Sequence, residues 1–175
     1  MKSKLGMFIT IWVCFILQCT LMNVISIGSI QPNLLIILCV STGLVRGRKS
    51  GLWTGFFTGL LADLFYGSVF GFYALVYMYV GYFSGYAHQS FYDDDIRVPM
   101  VMTACMDFIF NMALYGLAFL LRGRLALGVY LRRIILPEVL YTTLVTFIIY
   151  RILRLIFYRI GNPAFRESES IWVIK

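Results

Sequence analysis

The pattern along this chain is a series of long apolar runs separated by short polar or charged breaks. The runs are continuous and show no alternation of apolar and polar positions, which favours helices over the strands of a membrane barrel. The breaks divide the chain into six predicted helices, over residues 5–27, 30–45, 51–66, 69–87, 98–121 and 134–157. Residues 161–175 follow as a short polar tail.

The lengths of these runs fit membrane-spanning helices, which need about 20 residues and can span with roughly 17. The second and third runs are short on this scale, so a locally thin bilayer or a partly re-entrant segment stays open. The first run is too long for the apolar part of a cleaved signal peptide, and no clear cleavage site follows it. It therefore predicts an uncleaved first membrane helix.

The composition supports the membrane interpretation. Hydrophobic residues make up 61% of the 175 residues, and charged residues make up only 13%. A soluble domain usually holds about half apolar and about a quarter charged residues, so lipid must be the solvent for most of this chain. The predicted fold class is an all-α integral membrane protein, a bundle of six transmembrane helices in a single domain.

The net charge of +7 comes from basic residues that lie mainly at the ends of the apolar runs. Basic residues at such positions set topology and contact lipid headgroups, so this charge does not indicate nucleic acid binding. If both termini are cytoplasmic, eleven of the fifteen basic residues fall on the cytoplasmic side, as the positive-inside rule requires.

One break disagrees with this topology. It contains Arg122, Arg124, Arg132 and Arg133, and the six-span arrangement places it on the outer side. The stretch could lie flat on the outer surface, with its arginines on lipid headgroups or on a partner. The alternative is that one of the short helices does not cross the membrane.

The residue types that usually carry chemistry form no catalytic or metal-binding pattern. The single histidine, His88, lies in a loop beside three aspartates and is expected to be solvated. No CxxC pair or Cys/His cluster occurs, so the cysteines are predicted to be packing residues. They are Cys14, Cys19, Cys39 and Cys105. We expect no enzyme activity, no cofactor and no metal.

A ladder of small residues runs through the third and fourth predicted helices. Gly51, Gly55, Gly59, Asp63, Gly67 and Gly71 follow at four-residue intervals, and Gly81 and Gly85 repeat the spacing. Small residues four apart let a second helix backbone approach closely. The ladder predicts close packing, either within the bundle or against another protein's helix. In the second case, replacing Gly59 by leucine should weaken complex recovery without abolishing membrane insertion.

Four polar residues inside the apolar runs need partners. Asp63 is expected to face the bundle interior, a cavity or a partner, or else to lie at a helix end near the outer interface. Asp107 and Asn111 lie one turn apart in the fifth run, and Glu138 begins the sixth. Polar contacts between helices are their expected role, and the outer arginines could pair with Asp63 and Glu138.

The N-terminal half resembles the rod shape-determining protein MreD family of small bacterial inner-membrane proteins. The resemblance covers PNLLIILCVSTGLVRG at 32–47 and GLWTGFFTGLLADLFYGSVFGFYALVYMYVGY at 51–82, about a third of the chain. The matching family-motif positions are Pro32, Asn33, Arg46, Gly47, Leu60, Leu61 and Asp63. Residues 98–175 match in hydropathy alone.

The resemblance implies a non-enzymatic subunit of the lateral wall-elongation machinery. Its implied partner is MreC, which has one membrane helix and a periplasmic region. Together they would link MreB filaments to a glycan polymerase and a penicillin-binding transpeptidase. The resemblance also implies a fold similar to the substrate-binding subunits of energy-coupling-factor vitamin transporters. A small-molecule transporter subunit is therefore the alternative function, because fold does not fix function.

Overall fold

The computed structural model describes residues 2–24, 30–67, 69–89, 96–122 and 127–159, and every regular element in these ranges is helical. The first four helices are α1 (Lys2–Val24), α2 (Leu34–Arg46), α3 (Arg48–Tyr66) and α4 (Phe72–Ser84). A 3-10 turn (Ala87–Gln89) precedes α5 (Arg97–Arg122). The chain then forms α6 (Leu127–Tyr130), a π-helical segment (Leu131–Ile135) and α7 (Leu136–Arg159). The predicted all-helical fold class is confirmed, and the predicted polar tail at 161–175 lies outside the described residues.

Helix α2 lies at the centre of the bundle. Each of its residues from Leu34 to Leu44 is buried, and the helix contacts α1, α3, α4, α5 and α7. An apolar sequence with no polar face is what a helix enclosed on all sides requires. The other helices therefore form a shell around α2.

The described helices differ in whether their length is enough to cross a membrane. Helices α2 and α4 have 13 residues each, which gives a length of about 20 Å against a hydrocarbon thickness of about 30 Å. Two described helical stretches, Arg97–Leu117 and Gly128–Ile156, are long and apolar enough to span by themselves. The six-span count remains a prediction.

The break predicted between the fifth and sixth helices is partly wrong. Residues 127–135 are helical and lead directly into α7, so Arg132 and Arg133 lie on a helix and not in a loop. Pro137 has no N–H to donate to the carbonyl four residues earlier, and its ring crowds that carbonyl. The wider π segment directly before it, where the Leu136 N–H donates to the Leu131 carbonyl, accommodates this proline. Arg124 lies outside the described residues.

The outer surface of the bundle is apolar. On α7, for example, Leu140, Leu144 and Ile148 lie one turn apart and each exposes more than 60% of its side chain. Such a surface would be unfavourable in water but suits the hydrocarbon of a bilayer. The fold thus buries its polar side chains together with an apolar core and leaves a largely apolar outer surface.

Candidate functional site

The glycine ladder of α3 packs against the backbone of α4 in the same chain. A Cβ atom added at Gly51 would lie 2.2 Å from the carbonyl oxygen of Gly81, and one added at Gly81 would lie 2.1 Å from the carbonyl oxygen of Gly51. A Cβ atom added at Gly85 would lie 2.4 Å from the Cα of Arg48. The start of α3 and the end of α4 therefore contact each other through main-chain atoms.

The same contact continues up the ladder. A Cβ atom at Gly55 would lie 2.1 Å from the Tyr77 carbonyl oxygen, and one at Gly59 would lie 2.5 Å from the Ala74 Cα. No real side chain tolerates such distances to a backbone, so α4 fills this face completely. The expectation that the face could accept another protein's helix is corrected, because the neighbour is already within the chain.

Gly67 and Gly71 leave the ladder and form the turn between α3 and α4. Gly67 follows the last residue of α3, and its N–H donates to the Asp63 carbonyl at 3.1 Å. Gly71 precedes α4 with φ at +93°, a left-handed conformation that favours glycine. Gly67 and Gly71 keep the four-residue spacing in the sequence, but they belong to the turn and not to the contact between the helices.

Asp63 caps the first turn of α4 from the neighbouring helix. Its Oδ1 accepts the N–H of Tyr73 at 3.0 Å, and its Oδ2 accepts the N–H of Ala74 at 2.8 Å. Gly71, at the N-cap position, has no side chain to satisfy these N–H groups, which a Ser or Asp would normally do. The buried carboxylate also lies at the positive end of the helix dipole. Asp63 is thus an interior acid and a helix-end acid at once.

The N-terminus of α2 is capped by Asn33, which side chains of two other helices hold in place. The Asn33 side chain accepts the N–H of Ile36 at 3.2 Å and the hydroxyl of Tyr77 at 3.1 Å, while the Asn33 N–H donates to Thr142 at 3.1 Å. Tyr77 belongs to α4 and Thr142 to α7. The Pro-Asn motif therefore marks a buried helix start that fixes the helices around it.

Gln18 of α1 completes this cap. Its side-chain oxygen accepts the N–H of Leu34 at 2.7 Å, and its amide donates to the carbonyl of Pro32 at 3.3 Å. An unsatisfied backbone group inside a membrane costs several kcal/mol, so these two bonds stabilise the approach of α1 to the start of α2.

The C-terminus of α2 is satisfied by His88, which corrects the prediction that this histidine is solvated. The His88 Nδ1 hydrogen-bonds to the carbonyl oxygen of Leu44, one of the carbonyls that a helix end leaves unpaired. Gly47 follows α2 with φ at +80°, and a Cβ there would lie 3.3 Å from the His88 ring. The Arg46-Gly47 motif thus ends α2. Because Gly47 has no side chain, the His88 ring can reach the Leu44 carbonyl.

Asp107, Asn111 and Glu138 come together between α5 and α7. The Asn111 amide donates to the Asp107 carbonyl at 3.1 Å and approaches its Oδ1 at 3.4 Å. Glu138 and Thr142 of α7 lie beside Asn111 and Asp107 of α5, and the buried Asp107 Oδ2 accepts no hydrogen bond from the described residues. Thr142 also accepts from Asn33, so these contacts join the α2 cap. We call Asn33, Tyr77, Asp107, Asn111, Glu138 and Thr142 the polar cluster.

The expected pairing of the outer arginines with Asp63 does not occur among the described side chains, and both Asp63 oxygens accept backbone N–H groups. Arg132 and Arg133 are exposed on the helical stretch before α7. Nothing is described of the Arg122 side chain or of Arg124. The structure therefore leaves the two described arginines on the surface.

Sequence reasoning missed Gln18, Tyr77 and Thr142 as capping residues. Each is a polar side chain inside an apolar run, which is the signal that could have identified them. Of the motif leucines, Leu61 packs against both apolar core clusters, and Leu60 is half-buried. These two positions support packing.

A comparison with protein families identifies the chain. A family model described as rod shape-determining protein MreD matches residues 1–160. The chain belongs to the MreD family. The match confirms the resemblance and extends it through the second half of the chain. MreD is a family of membrane proteins for shape determination and not a known enzyme family. No curated protein and no solved structure matches the chain significantly, so the similarity to vitamin-transporter subunits stays a prediction.

Proposed function

We propose that this chain is a non-enzymatic scaffold subunit of the bacterial cell-elongation machinery. In this proposal it lies in the cytoplasmic membrane with both termini inside and pairs with a single-span, MreC-type protein. Through that partner it serves MreB filaments and the glycosyltransferase and transpeptidase that build peptidoglycan. The observation that carries the proposal is the MreD family match over residues 1–160.

The use of the polar residues supports a scaffold role. Asp63 and Asn33 satisfy helix ends, and the Asn33 N–H also donates to Thr142 of α7. Groups committed to such contacts hold the bundle in one arrangement. Nothing in these contacts favours the alternative of a small-molecule transporter subunit.

The partner would have to use a surface other than the glycine face. The α3–α4 contact leaves no space there, since the two backbones already touch. The exposed arginines Arg132 and Arg133 remain candidates for the juxtamembrane region of a periplasmic partner. The positive charge of Arg132 and Arg133 would attract an acidic segment of the partner and fix where that segment docks.

Mild-detergent purification of the tagged chain from its native membrane, followed by mass spectrometry, tests this function. We expect a single-span periplasmic protein and wall-synthesis enzymes to co-purify. An Arg132→Gln, Arg133→Gln double variant should recover less partner, whereas Arg151→Gln, an exposed arginine near the other end of α7, should not. Recovery of an ATPase pair or a stoichiometric small molecule, without a wall-synthesis protein, would contradict the scaffold function.

A further inference from the structure

A cavity of about 430 Å³ lies where α1 begins, α2 ends and α3 begins. The residues that matter for its chemistry are Phe8, Arg46, Lys49, Ser50, Trp53 and Phe57. It lies apart from the polar cluster and from the α3–α4 contact. None of the contacts described above uses its open side.

The charge of the cavity wall selects an anion. Arg46 and Lys49 both line it, the Ser50 side chain adds a hydroxyl, and none of the lining residues is acidic. Arg46 is half-buried, and its Nη1 donates to the Met7 sulfur at 3.2 Å, which holds the guanidinium against the start of α1. A guanidinium and an ammonium beside a hydroxyl are groups that bind phosphate.

The rest of the wall is aromatic. The rings of Phe8 and Phe57 lie 5.0 Å apart, and Trp53 stacks on Phe57 at 6.0 Å with an angle of 25° between the rings. Phe8 and Trp53 nevertheless expose about half of their side chains, so this cluster faces the surroundings of the bundle. Indole rings near basic residues favour the interface between headgroups and hydrocarbon.

We propose that this cavity binds one anionic phospholipid. Its phosphate lies between Arg46 and Lys49, and its glycerol and upper acyl carbons pack along Phe8 and Trp53. A lipid fits better than a soluble anion because the same cavity is lined by cations and by partly exposed aromatic rings. The basic residues at this end place it in the cytoplasmic leaflet under the positive-inside rule.

Quenching of Trp53 fluorescence tests the proposal. The full chain carrying Trp12→Phe and Trp172→Phe is reconstituted in phosphatidylcholine vesicles that contain brominated phosphatidylglycerol or, separately, brominated phosphatidylcholine at the same mole fraction. We expect stronger quenching by the brominated phosphatidylglycerol. Lys49→Gln should lower the relative affinity for it about fivefold, the effect of one cation at an anionic lipid.

Two controls make the outcome decisive. Arg151→Gln removes an exposed cation outside the cavity and should leave the lipid preference unchanged. Inorganic phosphate added to the vesicles should not reverse the quenching, and reversal would identify a free anion as the ligand instead. Equal quenching by the two brominated lipids, or a preference that survives Lys49→Gln in a variant that elutes as a folded species, would overturn the proposal.

Discussion

Helices α3 and α4 meet through their backbones, whereas α5 and α7 meet through polar side chains. In the first pair, glycines clear the way for main-chain contact over Gly51, Gly55 and Gly59. In the second pair, Asn111 of α5 lies beside Glu138 of α7. Both solutions answer the same problem, because lipid offers no hydrophobic driving force for helix association.

The two kinds of helix contact are sensitive to different substitutions. A glycine contact needs no polar partner, but it is disrupted when a side-chain atom is added at the glycine. A polar contact tolerates changes of size but leaves an unsatisfied group in hydrocarbon when one partner is lost. The α3–α4 pair combines both devices, since Asp63 caps α4 where the ladder ends. We therefore expect this pair to be the more sensitive of the two.

Among substitutions by alanine, the largest effect is expected from Gly55→Ala. The added Cβ would lie 2.1 Å from the Tyr77 carbonyl oxygen, so α3 and α4 must separate. The free energy of unfolding in detergent should fall by about 3 kcal/mol. Gly116→Ala is the matched control, because nothing lies within 4 Å of a Cβ there, and it should stabilise α5 by about 0.5–1 kcal/mol. Equal stability of the two variants would show that the helices do not touch.

A smaller loss is expected from Asp63→Ala. Two N–H groups at the start of α4 would lose their acceptors, at a cost of about 2 kcal/mol. Asp63→Asn keeps one acceptor oxygen and should be intermediate. Amide hydrogen exchange should accelerate at Tyr73 and Ala74, while amides in the middle of α5 stay protected. Unchanged exchange at these two amides would show that Asp63 does not cap α4.

The smallest effect concerns the α5–α7 contact. A double-mutant cycle of Asn111→Ala and Glu138→Ala should give a coupling of about 0.6 kcal/mol, the average for such pairs in membranes. Pairing Asn111→Ala with Leu144→Ala, which changes a lipid-facing side chain, should be additive. A coupling of zero for the first pair would place α5 and α7 farther apart than the structure does.

The sequence predicted the close packing of α3 but not the identity of its neighbour. Four-residue glycine spacing has the same form whether the second helix comes from the same chain or from another protein. The choice depends on the short turn around Gly71, which returns α4 along α3. Turn geometry of this kind is a property of the folded backbone and not of the ladder.

The polar cluster was predictable in part. Asp107, Asn111 and Glu138 are recognisable in the sequence as residues that need partners, because polar groups are costly in lipid. Their link to Asn33 runs through Thr142, which lies 109 residues away in sequence. Threonine is common in apolar helices, so its polar side chain alone does not distinguish Thr142 from the other threonines of the chain. The charges of Arg132 and Arg133 interrupt the apolar pattern and so predict a loop, although the helix continues through them.

The central claim is that the glycine face of α3 is filled by α4 of the same chain. The most direct measurement compares Gly59→Leu with Gly116→Leu in the purified chain, without any partner, by its free energy of unfolding in detergent. The claim predicts that Gly59→Leu alone unfolds the isolated chain, since its Cβ would meet the Ala74 Cα at 2.5 Å. If both variants were equally stable and Gly59→Leu instead lost its partner during purification, the face would be an intermolecular groove and the claim would fail.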